Sequence, residues 1–118
     1  MNISHLAKVE LHLHLEGAAP PAFIRQLAYE KKVDIGGIFA PDGRYAFGGF
    51  TDFLAVYEAA TQVLQSPEDF HRLTLAVLAE CAANDVIYVE SFLSPEFCGG
   101  GDLSAWRKYL QAIREAAA

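Results

Sequence analysis

Apolar and polar residues alternate without interruption over residues 8–15, KVELHLHL. Side chains of a strand point alternately to its two faces, so this pattern predicts a strand with one apolar and one polar face, which Gly17 ends. The apolar face carries Val9, Leu11, Leu13 and Leu15, and the polar face carries Glu10, His12, His14 and Glu16.

The remaining pattern predicts four helices and a second strand. The first helix runs from Pro20-Pro21 to about Val33, and the second from about Thr51-Asp52 through Val63-Leu64. The third runs from Pro67 to about Asn84, and the fourth begins at about Ser104. The second strand begins with Val86-Ile87-Tyr88-Val89. Thr51 or Asp52 is the expected N-cap of the second helix, and Ser66 with Asp69 predicts a capping box on the third. Residues 34–49 predict a long irregular connection, which is often functional.

The order strand, helices, strand, helix predicts an α/β fold with a parallel sheet. The second strand is a nearly continuous apolar run, so we expect both of its faces to be covered. A sheet of only two strands is marginally stable, so the chain is expected to be the beginning of a larger domain.

The composition narrows the classes of partner. The chain has 118 residues, a formal net charge of −6, and 15 acidic residues against 9 basic ones, which argues against nucleic acid. No apolar run approaches the ~20 residues that span a bilayer, and the N-terminus lacks a signal-peptide pattern. The two cysteines make no disulfide framework. We therefore expect a soluble, cytoplasmic protein without a membrane partner.

His12 and His14 are the strongest candidates for chemistry. Residues two apart on a strand point the same way, so the two imidazoles lie side by side and are suited to zinc or a similar metal. In a parallel barrel, such groups gather at the carboxyl end of the strands. The alternative is a half-exposed strand whose polar face happens to hold two histidines.

Other side chains are weaker candidates. His5 and His71 are expected to be ordinary surface histidines, and Cys98 a small buried or loop residue, although a thiolate there would lie near the carboxyl end of the second strand. Glu90 is either a carboxylate that supports the site or a structural, paired one.

The segment KVELHLHLEGA resembles the first strand of the adenosine deaminase family, within the metal-dependent amidohydrolases. Phe50-Thr51-Asp52-Phe53-Leu54 with Tyr57 resembles the helix that follows it, and Val86-Ile87-Tyr88-Val89-Glu90 with Ser94-Pro95 resembles the second strand. The likeness covers nearly the whole chain in order.

This resemblance implies a zinc hydrolase on an eight-stranded TIM-type barrel that replaces a purine amino group with oxygen. His12 and His14 would bind the one zinc ion of the active site, His14 would also lie beside the substrate, and Glu16 would hydrogen-bond the ribose. Phe50, Phe53, Leu54 and Tyr57 would line an apolar lid. The family's third zinc histidine, its metal-side Asp and its general acid/base residues come from later strands, so no catalytic acid or base is expected among these 118 residues.

We therefore expect residues 1–118 to be the N-terminal portion of one barrel domain, inactive alone, of an enzyme that converts adenosine to inosine and ammonia. Glu16 stands where the best-known members carry Asp, which leaves adenine or a modified purine open as the substrate. The Glu90-Ser91-Phe92 segment also replaces an Arg of many relatives. A non-catalytic fragment or binding module is the alternative from another class.

Overall fold

A computed structural model describes residue 3 and residues 5–118, and residues 1, 2 and 4 lie outside it. Strand β1 is Lys8–His14, α1 is Pro21–Lys31, α2 is Phe50–Thr61, α3 is Pro67–Ala83, β2 is Val86–Phe92 and α4 is Leu103–Ala117. The two strands and four α-helices of the described residues confirm the predicted order. No helix in this part of the chain is long and apolar enough to cross a membrane.

The two strands pair in parallel, as predicted, with Val9 opposite Tyr88 and His14 opposite Phe92. The backbone N–H of Leu15 donates to the carbonyl oxygen of Phe92 at 3.0 Å, which extends the pairing to the carboxyl ends of both strands. Residues that follow either strand therefore meet at one edge of the sheet.

The core lies between the helices. Its fully buried large side chains are Ile24, Leu27, Val63, Phe70, Leu73 and Cys98. Tyr109 of α4 packs edge-on against Phe70, with ring centroids 5.2 Å apart, and so joins α4 to α3. Burial of each large apolar side chain stabilises the fold by about 1.5–3 kcal/mol before entropic costs.

The sheet is much less covered than its sequence predicts. Ile87 is 73% exposed and Tyr88 52%, so the expectation that both faces of β2 are covered is wrong for the described residues. On the apolar face of β1, Val9 is 54% exposed and Leu11 57%. Helices α3 and α4 reach the carboxyl half of the sheet, where Leu13 and Val89 line a cleft against α3 and α4. No third strand lies beside β1 or β2 in the described part of the chain.

The helix starts follow local chemistry, with one correction. The hydroxyl oxygen of Ser66 accepts the N–H of Asp69 at 3.2 Å, which confirms the predicted cap of α3. The carboxylate of Asp69 in turn accepts the N–H of Gln65, one residue before the cap. The N-cap of α2 is Gly49, not Thr51 or Asp52, because the Asp52 carboxylate turns back to accept the N–H of Gly48.

The connection between α1 and α2 is more ordered than predicted. Phe39 and Tyr45 form an antiparallel bridge, and we call the segment from Phe39 to Tyr45 the 39–45 hairpin. Gly43 has φ +89°, a left-handed conformation that the turn requires. The Tyr45 hydroxyl donates to the carbonyl oxygen of Ala19 at 2.7 Å, and Arg25 donates to the carbonyl of Gly43, so the hairpin is tied to the segment before α1 and to α1 itself.

Candidate metal and substrate site

The two histidines of β1 lie together at the carboxyl end of the strand, as predicted. Their Nε2 atoms are 3.2 Å apart, and their ring centroids are 5.1 Å apart. The ring of Phe92 on β2 lies 4.5 Å from that of His12 and 5.8 Å from that of His14, so an aromatic wall stands beside the pair. Both histidines are exposed.

This spacing fits two ligands of one metal ion. Zinc binds imidazole nitrogen at 2.0–2.1 Å, and tetrahedral geometry then places two ligating nitrogens about 3.3 Å apart. The observed Nε2 separation of 3.2 Å agrees with that value. Among residue 3 and residues 5–118, no group of three or more His, Cys, Asp or Glu side chains is placed to hold a metal ion. The described residues therefore offer at most these two neighbouring imidazoles to one ion.

Glu16 is not on the open face with the histidines, contrary to the alternation along β1. The strand ends at His14, and residues Glu16–Ala18 form a 3-10 turn that buries the Glu16 side chain to 2% exposure. Its Oε1 accepts the backbone N–H of Ser94 at 3.1 Å, which joins the ends of β1 and β2. Its Oε2 has no hydrogen-bond partner among the described residues.

Tyr57 of α2 packs directly on the turn that holds Glu16. A Cβ added at Gly17 would come within 2.7 Å of the Tyr57 ring, so this close approach requires glycine. Burial, and then the neighbouring carboxylate of Glu16, raise the pKa of the Tyr57 phenol well above its usual value. The phenol therefore stays protonated beside that carboxylate.

The aromatic face of α2 lines two neighbouring clefts that share Gly17, Phe53 and Tyr57. One cleft also contains His14 and Leu54 and opens beside the histidine pair. The structure thus brings these predicted lid residues together next to the metal-ligand candidates. Phe50 is 76% exposed and lines neither cleft.

The second cleft contains residues that the sequence pattern did not predict to lie there. Tyr45 and Phe47 form part of its wall, together with Glu16. The ring of Phe47 stands edge-on to Phe53, with centroids 5.3 Å apart. The length of the 34–49 connection was a signal of function, but no periodicity identified these two side chains.

The weaker candidates do not gather at the histidines. Cys98 is fully buried, and burial, with the Glu16 charge, raises the pKa of its thiol to about 12, so it remains a neutral, buried thiol. The Nδ1 of His71 lies 3.2 Å from the carbonyl oxygen of Ala112, in the contact between α3 and α4. His5 and Glu90 are exposed.

Two solved structures with a similar fold are deaminases. The adenine deaminase of Arthrobacter aurescens superposes with a TM-score of 0.69 at 27% identity, over 92% of this chain and 35% of that one. The N6-methyl-AMP deaminase of Arabidopsis thaliana, in its apo form, gives a TM-score of 0.71 at 20% identity, over 98% and 34%, which shows the fold alone. These likenesses confirm the predicted start of a TIM-type barrel.

The sequence matches agree with the fold. The adenine deaminase of Agrobacterium fabrum is 44% identical over 93 residues, which cover 79% of this chain and 28% of that protein. The chain thus spans about a third of the length of these relatives. Residues 7–118 match the family model described as adenosine deaminase. The chain therefore belongs to the adenosine deaminase family.

Proposed function

We propose that this chain forms the N-terminal part of the barrel domain of an enzyme that hydrolytically deaminates a 6-aminopurine. The observation that carries the proposal is the histidine pair, with Nε2 atoms 3.2 Å apart, beside an aromatic cleft at the carboxyl end of a parallel strand. In parallel barrels this end carries the active site. Membership of the adenosine deaminase family supports the reaction class.

His12 and His14 would hold the metal ion, for which we propose zinc. Neutral imidazole is a preferred zinc ligand, and the nitrogen spacing agrees with one shared ion. Zinc, when bound, supplies the means of ionising water near neutral pH, which a hydrolytic deamination needs. The remaining ligands and the acid/base groups would come from sequence outside residues 1–118.

The residues of this chain would bind and orient the purine. His14 and Leu54 line the cleft next to the metal ligands, with Phe53 and Tyr57 as aromatic walls on which a flat base stacks. Apolar walls also exclude water from the side of the substrate that is not hydrolysed. The exposed position of Phe50 gives it no such contact in the described chain.

We propose adenine, rather than the adenosine expected from the family resemblance, as the substrate. The curated relatives at 36–45% identity carry the name adenine deaminase. Adenosine and modified purines are the competing substrates in the test. A cytoplasmic location also stays a prediction.

The test compares His12→Ala and His14→Ala with His5→Ala in the complete enzyme. Loss of either ligand should lower the affinity for zinc by more than the ~10- to 100-fold that removal of a supporting partner costs, and adenine deamination should fall with it. His5 is exposed and precedes β1, so its variant should keep wild-type zinc content. Metal analysis and ammonia release are the measurements, and wild-type zinc content in the two ligand variants would refute the assignment.

The isolated 118-residue chain gives a second check. It lacks a third candidate ligand in the described residues, so it should bind zinc weakly at best and release no ammonia from adenine or adenosine. A measurable rate of deamination by this chain alone would overturn the proposal that the remaining metal ligands and acid/base groups come from outside residues 1–118.

A further inference from the structure

Phe92 of β2 packs against both histidines of the candidate metal site. Its ring centroid lies 4.5 Å from that of His12, at an interplanar angle of 40°, and 5.8 Å from that of His14, at 31°. Phe92 is also the cross-strand partner of His14, and its carbonyl oxygen accepts the N–H of Leu15. The pairing of the two strands at their carboxyl ends therefore holds the ring beside the imidazoles.

The segment of β1 that carries His12 is irregular. Glu10 pairs with Val89. The next pair, Leu13 with Ser91, lies three residues further along β1 but only two further along β2. Such a bulge leaves one residue without a partner in the ladder and changes the direction of nearby side chains. Backbone pairing alone therefore does not fix the direction of the His12 side chain.

Side-chain contacts from β2 supply this restraint. The Ser91 hydroxyl donates to the carbonyl oxygen of Leu13, the residue between the two histidines, at 3.0 Å. The Phe92 ring limits the rotation of His12 on one side. An exposed imidazole otherwise samples several rotamers, and fixing it on a metal ion costs conformational entropy. These contacts lower the cost of holding the two Nε2 atoms 3.2 Å apart.

Phe92 acts on the site through the histidines and not through the substrate. Neither cleft beside α2 includes Phe92 among its lining residues, although one of them includes His14. The phenyl ring has no nitrogen, oxygen or sulfur atom with which to bind a metal ion. An apolar ring beside metal ligands does, however, limit the access of water to them.

We infer that Phe92 is a positioning residue, whose ring holds His12 and His14 at the spacing of one shared metal ion and thereby raises the affinity of the site for zinc. The inference rests on the proposed function, in which these two histidines bind the metal. It concerns the retention of the metal ion and not the recognition of the purine.

The experiment measures the zinc dissociation constant of the complete enzyme by competition with a chromophoric chelator. Phe92→Ala removes the ring and should weaken zinc binding on the order of 10-fold, the lower end of what the loss of a supporting partner costs. Phe92→Tyr keeps the ring and should restore the wild-type affinity. Phe92→Leu keeps apolar bulk without a flat ring and should lie between the two, so the test stands even if the alanine variant does not fold.

The matched control is Tyr88→Ala, which removes an aromatic ring of similar exposure from the same strand. Tyr88 is 52% exposed and Phe92 46%, but the described ring contacts of the two histidines involve Phe92 and not Tyr88. The control should keep the wild-type zinc affinity. Equal losses in the two alanine variants, or wild-type affinity in both Phe92→Ala and Phe92→Leu, would overturn the inference.

Kinetics at saturating zinc separate retention of the metal ion from binding of the substrate. Once the metal site is filled, Phe92→Ala should regain most of the wild-type kcat, with the KM for adenine unchanged. A raised KM together with an unchanged zinc affinity would make Phe92 a substrate contact and would overturn the inference.

The zinc measurement also separates this inference from the proposed reaction. Zinc binding that depends on Phe92, in a protein that deaminates no 6-aminopurine, would refute the proposed reaction and support the inference. Deamination of adenine with a zinc affinity that does not depend on Phe92 would support the proposed reaction and refute the inference. A wild-type enzyme that binds no zinc would overturn both.

Discussion

Apolar side chains of the helical layer and apolar side chains of the sheet are buried to very different degrees. Ile24, Phe70 and Leu73 are fully buried between the helices, whereas Leu11 and Ile87 on the strands are 57% and 73% exposed. Helices α1, α3 and α4 find their apolar partners within the described residues, whereas the amino-terminal half of the sheet does not. The stability of the described fold therefore resides in the helices, and the candidate site lies on the boundary between the two regions.

A matched pair of leucines gives the sharpest test of this difference. Leu73→Ala removes a fully buried side chain and should lower the free energy of unfolding by about 2–5 kcal/mol. Leu11→Ala alters an exposed side chain and should change it by about 0.5 kcal/mol or less. Urea denaturation of the 118-residue chain measures both. Similar losses would abolish the distinction between the two regions.

The same pair can be measured in the complete enzyme. We propose that further strands and helices of the barrel cover the sheet there, so Leu11→Ala should then cost more than it does in the 118-residue chain. If Leu11→Ala lowers the free energy of unfolding of the complete enzyme by no more than it does in the 118-residue chain, the face of β1 that carries Leu11 stays exposed in the complete enzyme.

A second prediction concerns Gly17, where the turn after β1 contacts Tyr57 of α2. Gly17→Ala places a Cβ within 2.7 Å of the Tyr57 ring, and this crowding should cost about 1–3 kcal/mol and displace Tyr57 from the clefts. Gly37→Ala meets no atom within 4 Å and is the control. Denaturation and the KM for adenine should both change for the first variant only. Equal stability of the two variants would mean that the Tyr57 ring can move away from position 17 without lowering the free energy of unfolding.

The smallest predicted effect is a pH dependence from Cys98. Its folded-state pKa is raised from 9.0 to about 12, so between these values the unfolded chain loses the thiol proton while the folded chain keeps it. The free energy of unfolding should therefore decrease as the pH rises through this window. Cys98→Ala should make the decrease shallower than Cys81→Ala does, since Cys81 is only partly buried. Denaturation at pH 8 and pH 10 measures the slopes, and identical slopes would contradict the assigned burial.

The sequence predicted correctly those features of the fold that depend on residues close together in the chain. The start of α3 at Ser66-Pro67 and the pairing of His12 with His14 follow from local spacing, and both are confirmed. The extent to which Leu11 is buried could not be predicted from local spacing, because it depends on segments distant in the chain. The alternating pattern assigned the side chains of β1 to the right faces of the strand, but it gave no information on which segments pack against those faces.

The candidate site shows the same limit. Alternation placed Glu16 with the histidines, but the chain leaves the strand after His14 and the 3-10 turn carries the carboxylate into the interior. Tyr45, in the 39–45 hairpin, and Phe47, just after it, reach the cleft because this segment folds back onto residues more than twenty positions earlier in the chain. No periodic pattern encodes such a return. Family resemblance identified the residues of α2 but not this second wall.

The attachment of the 39–45 hairpin has a consequence for how this region can vary. Both of its tethers end on main-chain carbonyl oxygens, those of Ala19 and Gly43, rather than on side chains. Substitutions at position 19 leave the acceptor in place, but Ala19 is buried in the core, so only a small side chain fits there while Tyr45 and Arg25 are kept. Redesign of the cleft wall for a bulkier base should therefore begin at Phe47, which bears neither tether.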